Sequence, residues 1–207
     1  RGPSTPPPRS RLHRPAGPCR MSGFSLRGER VIHRGRIVSL VEATFVGPDG
    51  EEFEREVVRH RGAVSVVPVL DDGATAVLVR QYRGAIDGLL LEIPAGKLDV
   101  DGEPPEAAAA RELEEEVGWR AGRLEKLAEF YNSPGFCDEH AVVYLARELI
   151  RTESSTQGVE ERHMTVEHVA LADVPAMISD GRLVDAKTII GLTLARERLG
   201  AATLRRR

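Results

Sequence analysis

Four glutamates and one arginine are crowded into the stretch from Arg111 to Glu116. On an α-helix, residues three and four apart share a face, so Glu112, Glu115 and Glu116 converge on one side. Like charges at this spacing destabilise a helix by roughly 0.2–0.5 kcal/mol per pair, so stability does not explain the cluster. Its ordinary alternative is a solvated, Glu-rich surface. Carboxylate oxygens suit Mg²⁺ or Mn²⁺, and the cluster therefore predicts a cation that also contacts phosphate oxygens.

The acidic cluster requires a helix that rests on a sheet. We predict that helix over residues 106–117, because Pro104 and Pro105 suit a first turn and Gly118 suits a left-handed cap. The face opposite the glutamates is apolar and is expected to pack on a sheet through Ala109, Ala110, Leu113 and Val117.

Strands are predicted on both sides of the helix from β-branched or apolar runs bounded by turn residues. The predicted strands are 30–33, 36–46, 52–58, 62–70, 75–82, 89–93, 124–131, 141–147 and 164–171. The turn at 71–73 predicts a hairpin, and 94–96 is expected to stop a strand. A polar loop is predicted over 152–162, and the helices are predicted over 174–179 and 186–199. This mixture favours an α/β/α sandwich around a mixed sheet.

The residues around the helix form a longer motif. The chain reads Gly96, six residues, Glu103, seven residues, and then Arg111-Glu112-Leu113-Glu114-Glu115-Glu116-Val117-Gly118-Trp119. This string resembles the Nudix box, in which five residues separate the Gly from the first Glu and an aliphatic residue follows the last Gly. The chain departs from the box in its six-residue spacer and in Trp119. We expect the extra residue to loop out around 99–102.

The resemblance implies a Nudix fold and hydrolysis of a nucleoside diphosphate linked to another group. It implies about two to three Mg²⁺ or Mn²⁺ ions, which neutralise the pyrophosphate and activate a water. The implied metal ligands are Glu112, Glu115, Glu116 and the backbone carbonyl of Ala95. Of these, Glu116 is also implied in catalysis. The residues implied to orient the ligands are Gly96, Glu103 and Arg111.

Segments outside the box resemble the ADP-ribose pyrophosphatase branch of this family. They are residues 58–62, 80–83, 91–96, 133–136 and 185–188, with Pro134 sixteen residues beyond Gly118. The implied reaction converts ADP-ribose into AMP and ribose 5-phosphate. Another nucleoside diphosphate sugar, such as GDP-mannose, is the first alternative. A Nudix-fold binding module without catalysis is a further one, which the intact glutamate set disfavours.

Substrate contacts are predicted from residue chemistry. Arg55 and Arg83 carry guanidinium groups that match phosphate oxygens, with an ordinary surface charge as the alternative for each. Glu92, at a predicted strand end, is a candidate acceptor for a base or a ribose hydroxyl; a structural salt bridge is its alternative. Glu139 is the other candidate substrate ligand.

The general base is expected to be a carboxylate on a loop, because a water must lose a proton near the metal ions. The resembled enzymes take this base from a late loop, where Glu161 matches best. Glu160 and Glu139 are the alternatives.

Composition limits the classes of partner. Residues 1–20 hold five arginines and no acidic residue, so a chain of net charge −3 has a body of about −8 by subtracting those five charges. This acidic body disfavours nucleic acid, and no apolar run is long enough to span a membrane. Two cysteines, Cys19 and Cys137, form no disulfide framework, which favours a reduced, cytoplasmic protein.

The chain is expected to have three parts. We interpret residues 1–20 as a leader that is non-native or lies upstream of a start at Met21; a basic arm and a targeting peptide are the alternatives. Residues 21–60 are predicted to form a small β-sheet, and 61–207 the hydrolase domain. A small sheet cannot bury a core alone. In the resembled branch this sheet is exchanged between subunits, which implies a homodimer in which Arg55 acts on the partner's site.

Overall fold

The computed structural model describes residues 23–155 and 159–204, with side chains described over 23–155 and 161–200. The predicted leader at 1–20 and the side chain of Glu160 lie outside these ranges. The strands are β1 (Ser25–Arg34), β2 (Val38–Val46), β3 (Glu52–His60), β4 (Ala63–Pro68), β5 (Thr75–Arg83), β6 (Gly88–Glu92), β7 (Ala95–Lys97), β8 (Trp119–Tyr131), β9 (His140–Arg151) and β10 (Thr165–Ala170). The helices are α1 (Pro105–Val117), α2 (Val159–Arg162), α3 (Val174–Ser179) and α4 (Ala186–Leu204).

A mixed four-stranded sheet, in the order β7-β4-β9-β8, forms the centre of the fold. β4 runs parallel to β9, whereas β7 and β8 pair antiparallel with their neighbours. Every residue of β4 is buried, and alternate residues face two different cores. Val64 and Val66 pack with Leu113 of α1, while Val67 packs with Leu192 of α4. The predicted α/β/α sandwich around a mixed sheet is therefore confirmed.

The predicted hairpin of the fourth and fifth strands is present only at its turn, where an antiparallel bridge joins Val69 and Ala76. Beyond that bridge the strands separate, and β5 lies in a second sheet, ordered β10-β5-β6. Val69 also donates its N–H to Ala146 of β9, at 2.9 Å, while Leu70 donates to Thr75. The chain thus changes sheets at this point. A run that is apolar on both faces does not indicate which strand it will pair with.

Residues 94–96 were expected to stop a strand, and β6 does end at Glu92, just before them. A short strand, β7, then begins at Ala95 and pairs with β4, and Val66 of β4 donates its N–H to the Pro94 carbonyl. Other predicted boundaries differ from the structure. The second strand begins at Val38 rather than 36, after a turn in which Gly35 donates to Val38. The predicted loop 152–162 contains α2, which is a single helical turn.

The N-terminal strands form a separate antiparallel sheet in the order β1-β2-β3. Val58 of β3 joins this sheet to the loop before β9, donating its N–H to the Phe136 carbonyl at 2.7 Å and accepting from Asp138. Six large hydrophobic side chains of the N-terminal segment are exposed: Phe24, Leu26, Val31, Ile32, Ile37 and Val38. Among the described helices, none is long and apolar enough to cross a membrane.

Candidate active site

Helix α1 places its glutamates directly against β7. It starts with Pro105 in the first turn and ends at Gly118, whose φ of 66° is the left-handed conformation that favours glycine. Gly96 of β7 lies under Glu112 so closely that a Cβ on residue 96 would stand 2.0 Å from the Glu112 Cδ. The glycine of the motif is therefore required by the position of the glutamate.

Glu116 is buried at the same crossing. It is 7% exposed, and its Oε2 accepts the backbone N–H of Ala95 at 3.0 Å. Burial, together with the negative charges of Glu112 and Glu161, raises the pKa of Glu116 to about 8 against the opposing effects of the Ala95 N–H and Arg83. The positive groups around Glu116 do not balance its negative charge when it is ionised, and a carboxylate in such surroundings favours a nearby cation.

Arg111 holds three other carboxylates of the motif. Its Nε and Nη2 donate to the two Glu103 oxygens, each at 3.1 Å, and Nη1 donates to Glu112 at 2.8 Å and Glu115 at 3.3 Å. Among the residues that the structure describes, no three or more His, Cys, Asp or Glu side chains are arranged to enclose a metal ion. Glu112 and Glu115 each direct one carboxylate oxygen to the guanidinium instead.

The extra residue of the motif lies in the turn that precedes α1. Glu103 donates its N–H to the Val100 carbonyl at 3.2 Å, and Gly102 adopts a φ of 83°. A turn is therefore present where the extra residue was expected to loop out, and Glu103 lies within hydrogen-bond distance of Arg111.

Glu161 lies within electrostatic range of the acidic helix. Burial raises the pKa of Glu112, and the charges of Glu115 and Glu161 contribute to the rise against the opposing effect of Arg111. The segment that leads to Glu161 is fastened to the end of α1, since Thr152 donates its N–H to the Gly118 carbonyl at 2.9 Å and Ser155 donates to the Glu115 carbonyl at 3.0 Å.

Arg83 and Glu92 form one unit rather than two separate substrate ligands. Glu92 is 2% exposed and accepts from the Arg83 Nε at 3.0 Å and from the Gln81 Nε2 at 2.9 Å. These contacts favour the salt-bridge alternative for Glu92. The Arg83 side chain is 40% exposed and its charge acts on Glu116, so its guanidinium lies beside the acidic cluster.

The remaining predicted residues lie on other elements. Glu139 is part-buried before β9 and accepts from the Asn132 Nδ2 at 2.7 Å, with the His60 Nδ1 at 3.8 Å. Arg55 is exposed on β3, where its guanidinium stands 4.8 Å from the Phe53 ring centroid. Arg55 thus contacts its own sheet. Substrate binding by Glu139 and by Arg55 stays a prediction.

Residues 185–188 are typical of the resembled family branch, but no role was predicted for them. In the structure, Asp185 precedes α4 and its Oδ2 accepts both the backbone N–H and the hydroxyl of Thr188, at 2.9 and 2.8 Å. An aspartate three residues before a buried threonine at a helix start is a capping signal, and that signal was available in the sequence.

Comparisons with known proteins identify a region of the chain that includes the acidic helix. A family model described as NUDIX domain matches residues 59–189. The ADP-ribose pyrophosphatase of Bacillus subtilis is 41% identical over 157 residues, covering 76% of this chain and 84% of that protein. The ADP-ribose pyrophosphatase of Mycobacterium tuberculosis is 38% identical over 169 residues, covering 82% and 81%. A GDP-mannose pyrophosphatase of Yersinia pestis is 36% identical, covering 68% and 74%.

The fold also agrees with a solved structure. A crystal structure of an ADP compounds hydrolase superposes with a TM-score of 0.75, covering 87% of this chain and 96% of that one at 24% identity. At that identity the likeness concerns the fold. The family model and the relatives, which match the acidic helix and its surroundings across most of the chain, show that the protein belongs to the NUDIX domain family.

Proposed function

We propose that this Nudix enzyme hydrolyses the pyrophosphate of ADP-ribose, giving AMP and ribose 5-phosphate. The observation that carries the proposal is the convergence of the Glu112 and Glu116 carboxylates on the Ala95–Gly96 backbone. The branch is supported by two relatives named ADP-ribose pyrophosphatase, at 41% and 38% identity.

The donor set fits a divalent metal ion with a preference for oxygen ligands. Mg²⁺, or Mn²⁺ in its place, would be held by Glu112, Glu115, Glu116 and the Ala95 carbonyl. When bound, about two to three such ions would neutralise the pyrophosphate charge and lower the pKa of an attacking water.

The chain's own residues supply orientation and proton transfer. Glu161, close to Glu112 and Glu116, takes the proton of the water that attacks one phosphorus in line. Buried Glu92 holds Arg83 in a fixed orientation, and Arg83 binds the oxygens of the phosphate that leaves the attacked phosphorus. Arg111, bonded to both Glu103 oxygens, orients Glu112 and Glu115 through its Nη1.

The experiment that tests the proposal is incubation of the full chain with ADP-ribose and Mg²⁺, with AMP release as the readout. GDP-mannose and NADH are run in parallel, since a relative named GDP-mannose pyrophosphatase is 36% identical. Faster turnover of GDP-mannose would replace the proposed substrate with that sugar nucleotide. Absence of turnover on all three substrates would contradict the enzymatic reaction itself.

Replacing Glu161 with Gln is expected to lower kcat by roughly 10²- to 10⁴-fold, the usual contribution of a positioned general base, with little change in KM. Glu139→Gln and Glu160→Gln are the matched controls. A larger loss of kcat in either control would move the base to that residue.

We further propose a homodimer formed through the β1-β2-β3 sheet. Exposed Phe24, Leu26 and Ile32 on this sheet form more apolar surface than scattered single side chains explain. Arg55, which contacts only Phe53 and Glu54 among its described partners, would then reach the partner's site.

Arg55 in trans has a specific test. Mixed dimers of Arg55→Ala and Glu161→Gln subunits are expected to regain about a quarter of native turnover at random assembly, because each mixed dimer holds one intact site. Each variant alone stays inactive. Failure of the mixture to regain activity would place Arg55 in its own subunit's site, and a monomeric mass in light scattering would contradict the dimer.

A further inference from the structure

One buried hydroxyl connects the C-terminal helix α4 with the backbone that precedes Ala95. Thr188 has 0% exposure, and its Oγ1 accepts the backbone N–H of Ile93 at 3.0 Å across 95 residues of chain. Ile93 is also 0% exposed, so its N–H has no access to solvent. The Thr188 hydroxyl therefore supplies the hydrogen-bond acceptor that the buried Ile93 N–H needs.

Three consecutive residues at this point are each held by a different element. Ile93 is bonded to Thr188 of α4, and the Pro94 carbonyl accepts the N–H of Val66 in β4 at 2.9 Å. Ala95 donates its N–H to Glu116 of α1 at 3.0 Å. Because Ile93 and Ala95 are two residues apart, a rotation of the Ile93 peptide changes how Ala95 meets Glu116.

Asp185 fixes the direction of the Thr188 hydroxyl. A hydroxyl has one hydrogen, and Thr188 gives it to the Asp185 Oδ2 at 2.8 Å, which leaves a lone pair facing the Ile93 N–H. The carboxylate is itself held by the backbone N–H of Thr188 and by the Lys187 Nζ at 2.8 Å. The hydroxyl is therefore oriented by a side chain that cannot easily rotate.

We propose that Thr188, oriented by Asp185, is a positioning residue for the metal-binding backbone at Ala95. The inference rests on the proposed metal site and adds a part of the molecule that the acidic motif does not include. Thr188 contacts neither the cation nor the substrate. Its role is to hold Ala95 in register with Glu116, so that the Ala95 carbonyl and the glutamates form one set of ligands.

The test measures Mn²⁺ binding to the substrate-free full chain by electron paramagnetic resonance. Thr188→Val keeps the side-chain shape and removes the acceptor, and it is expected to weaken Mn²⁺ binding roughly 10- to 100-fold. Thr188→Ser keeps a hydroxyl and is expected to restore near-native affinity. Thr193→Val, at an exposed position of the same helix, is the matched control and is expected to bind as the native chain does.

Each outcome decides the inference. Native Mn²⁺ affinity in folded Thr188→Val would overturn it, even when ADP-ribose turnover by the native chain stands. If Thr188→Val does not fold, Asp185→Ala replaces it, since alanine leaves no acceptor for the Thr188 hydroxyl, and native affinity in that variant would also overturn the inference. Failure of the proposed function is distinct, because it appears as absent turnover in the native chain. Absence of Mn²⁺ binding by the native chain would overturn the metal site and this inference together.

Discussion

Replacing Glu116 with Gln is expected to reduce turnover by at least about 10²- to 10³-fold, the scale for removing one electrostatic contributor to a reacting centre. The amide retains an oxygen that can accept the Ala95 N–H, so the local backbone stays in place. What disappears is the charge that the cation needs. The measurement is kcat/KM for ADP-ribose at saturating Mg²⁺.

The same substitution is expected to stabilise the metal-free protein. The pKa of Glu116 is raised from 4.5 to about 8 in the fold. Between these pH values the unfolded chain loses the Glu116 proton while the folded chain retains it, so the free energy of unfolding falls as pH rises. Gln removes that cost, which is on the order of a few kcal/mol above pH 8. In EDTA, the variant should melt above the native protein at pH 8, and the difference should vanish near pH 4.

The matched control is Glu114→Gln on the same helix. Glu114 pairs with Arg120 at 2.8 Å, and its side chain is 41% exposed. A surface pair of this kind contributes about 0–1 kcal/mol, so this variant should keep both activity and melting temperature. Equal melting behaviour of Glu116→Gln and native chains at pH 8 would show that Glu116 is not held as an uncompensated charge.

Replacing Gly96 with Ala is expected to lower kcat/KM by roughly 10²-fold, because a small misplacement of a reacting group has that effect. The new methyl group would lie 2.0 Å from the Glu112 Cδ and 2.1 Å from its Oε1, so the carboxylate must move. A side-chain end moves at little cost to the fold. We therefore expect loss of Mn²⁺ affinity with a melting temperature near the native value.

Gly200→Ala provides the control for the added methyl group. Gly200 lies on α4, and a Cβ there would meet nothing within 4 Å. This variant should retain activity and gain slight stability from helix propensity. Native turnover in Gly96→Ala would mean that Glu112 does not bind the cation in the position that the structure gives it.

The acidic helix could be predicted in detail because local sequence determines it. Pro105 and Gly118 specify the start and the end, and the structure agrees with both. The packing face was predicted with Ala110, whereas the structure buries Ala108 in its place, because the packing face is rotated about the helix axis toward the side of Glu116. The orientation of Glu112 toward Gly96 could not be predicted, since it depends on how β7 crosses the helix. That crossing is set by pairing with β4, which is a long-range contact.

The pairing of strands was the part that sequence could not provide. β4 is apolar on both faces, and its neighbours β7 and β9 come from distant parts of the chain. The role of Glu92 was ambiguous for a similar reason, because its burial and its contact with Arg83 follow from the β5–β6 pairing. Periodicity gives the faces of a strand but not the identity of its partners.

The β10-β5-β6 sheet is separate from the central sheet, and this separation decides which parts of the molecule can change independently. Gln81, Arg83 and Glu92 belong to β5 and β6, whereas Glu112 and Glu116 sit on a helix that covers the other sheet. Mutations in the hairpin between Gly84 and Gly88 can therefore accumulate without moving the acidic helix. Under the proposed function, contacts to the sugar nucleotide can change there while Glu112 and Glu116 keep their places.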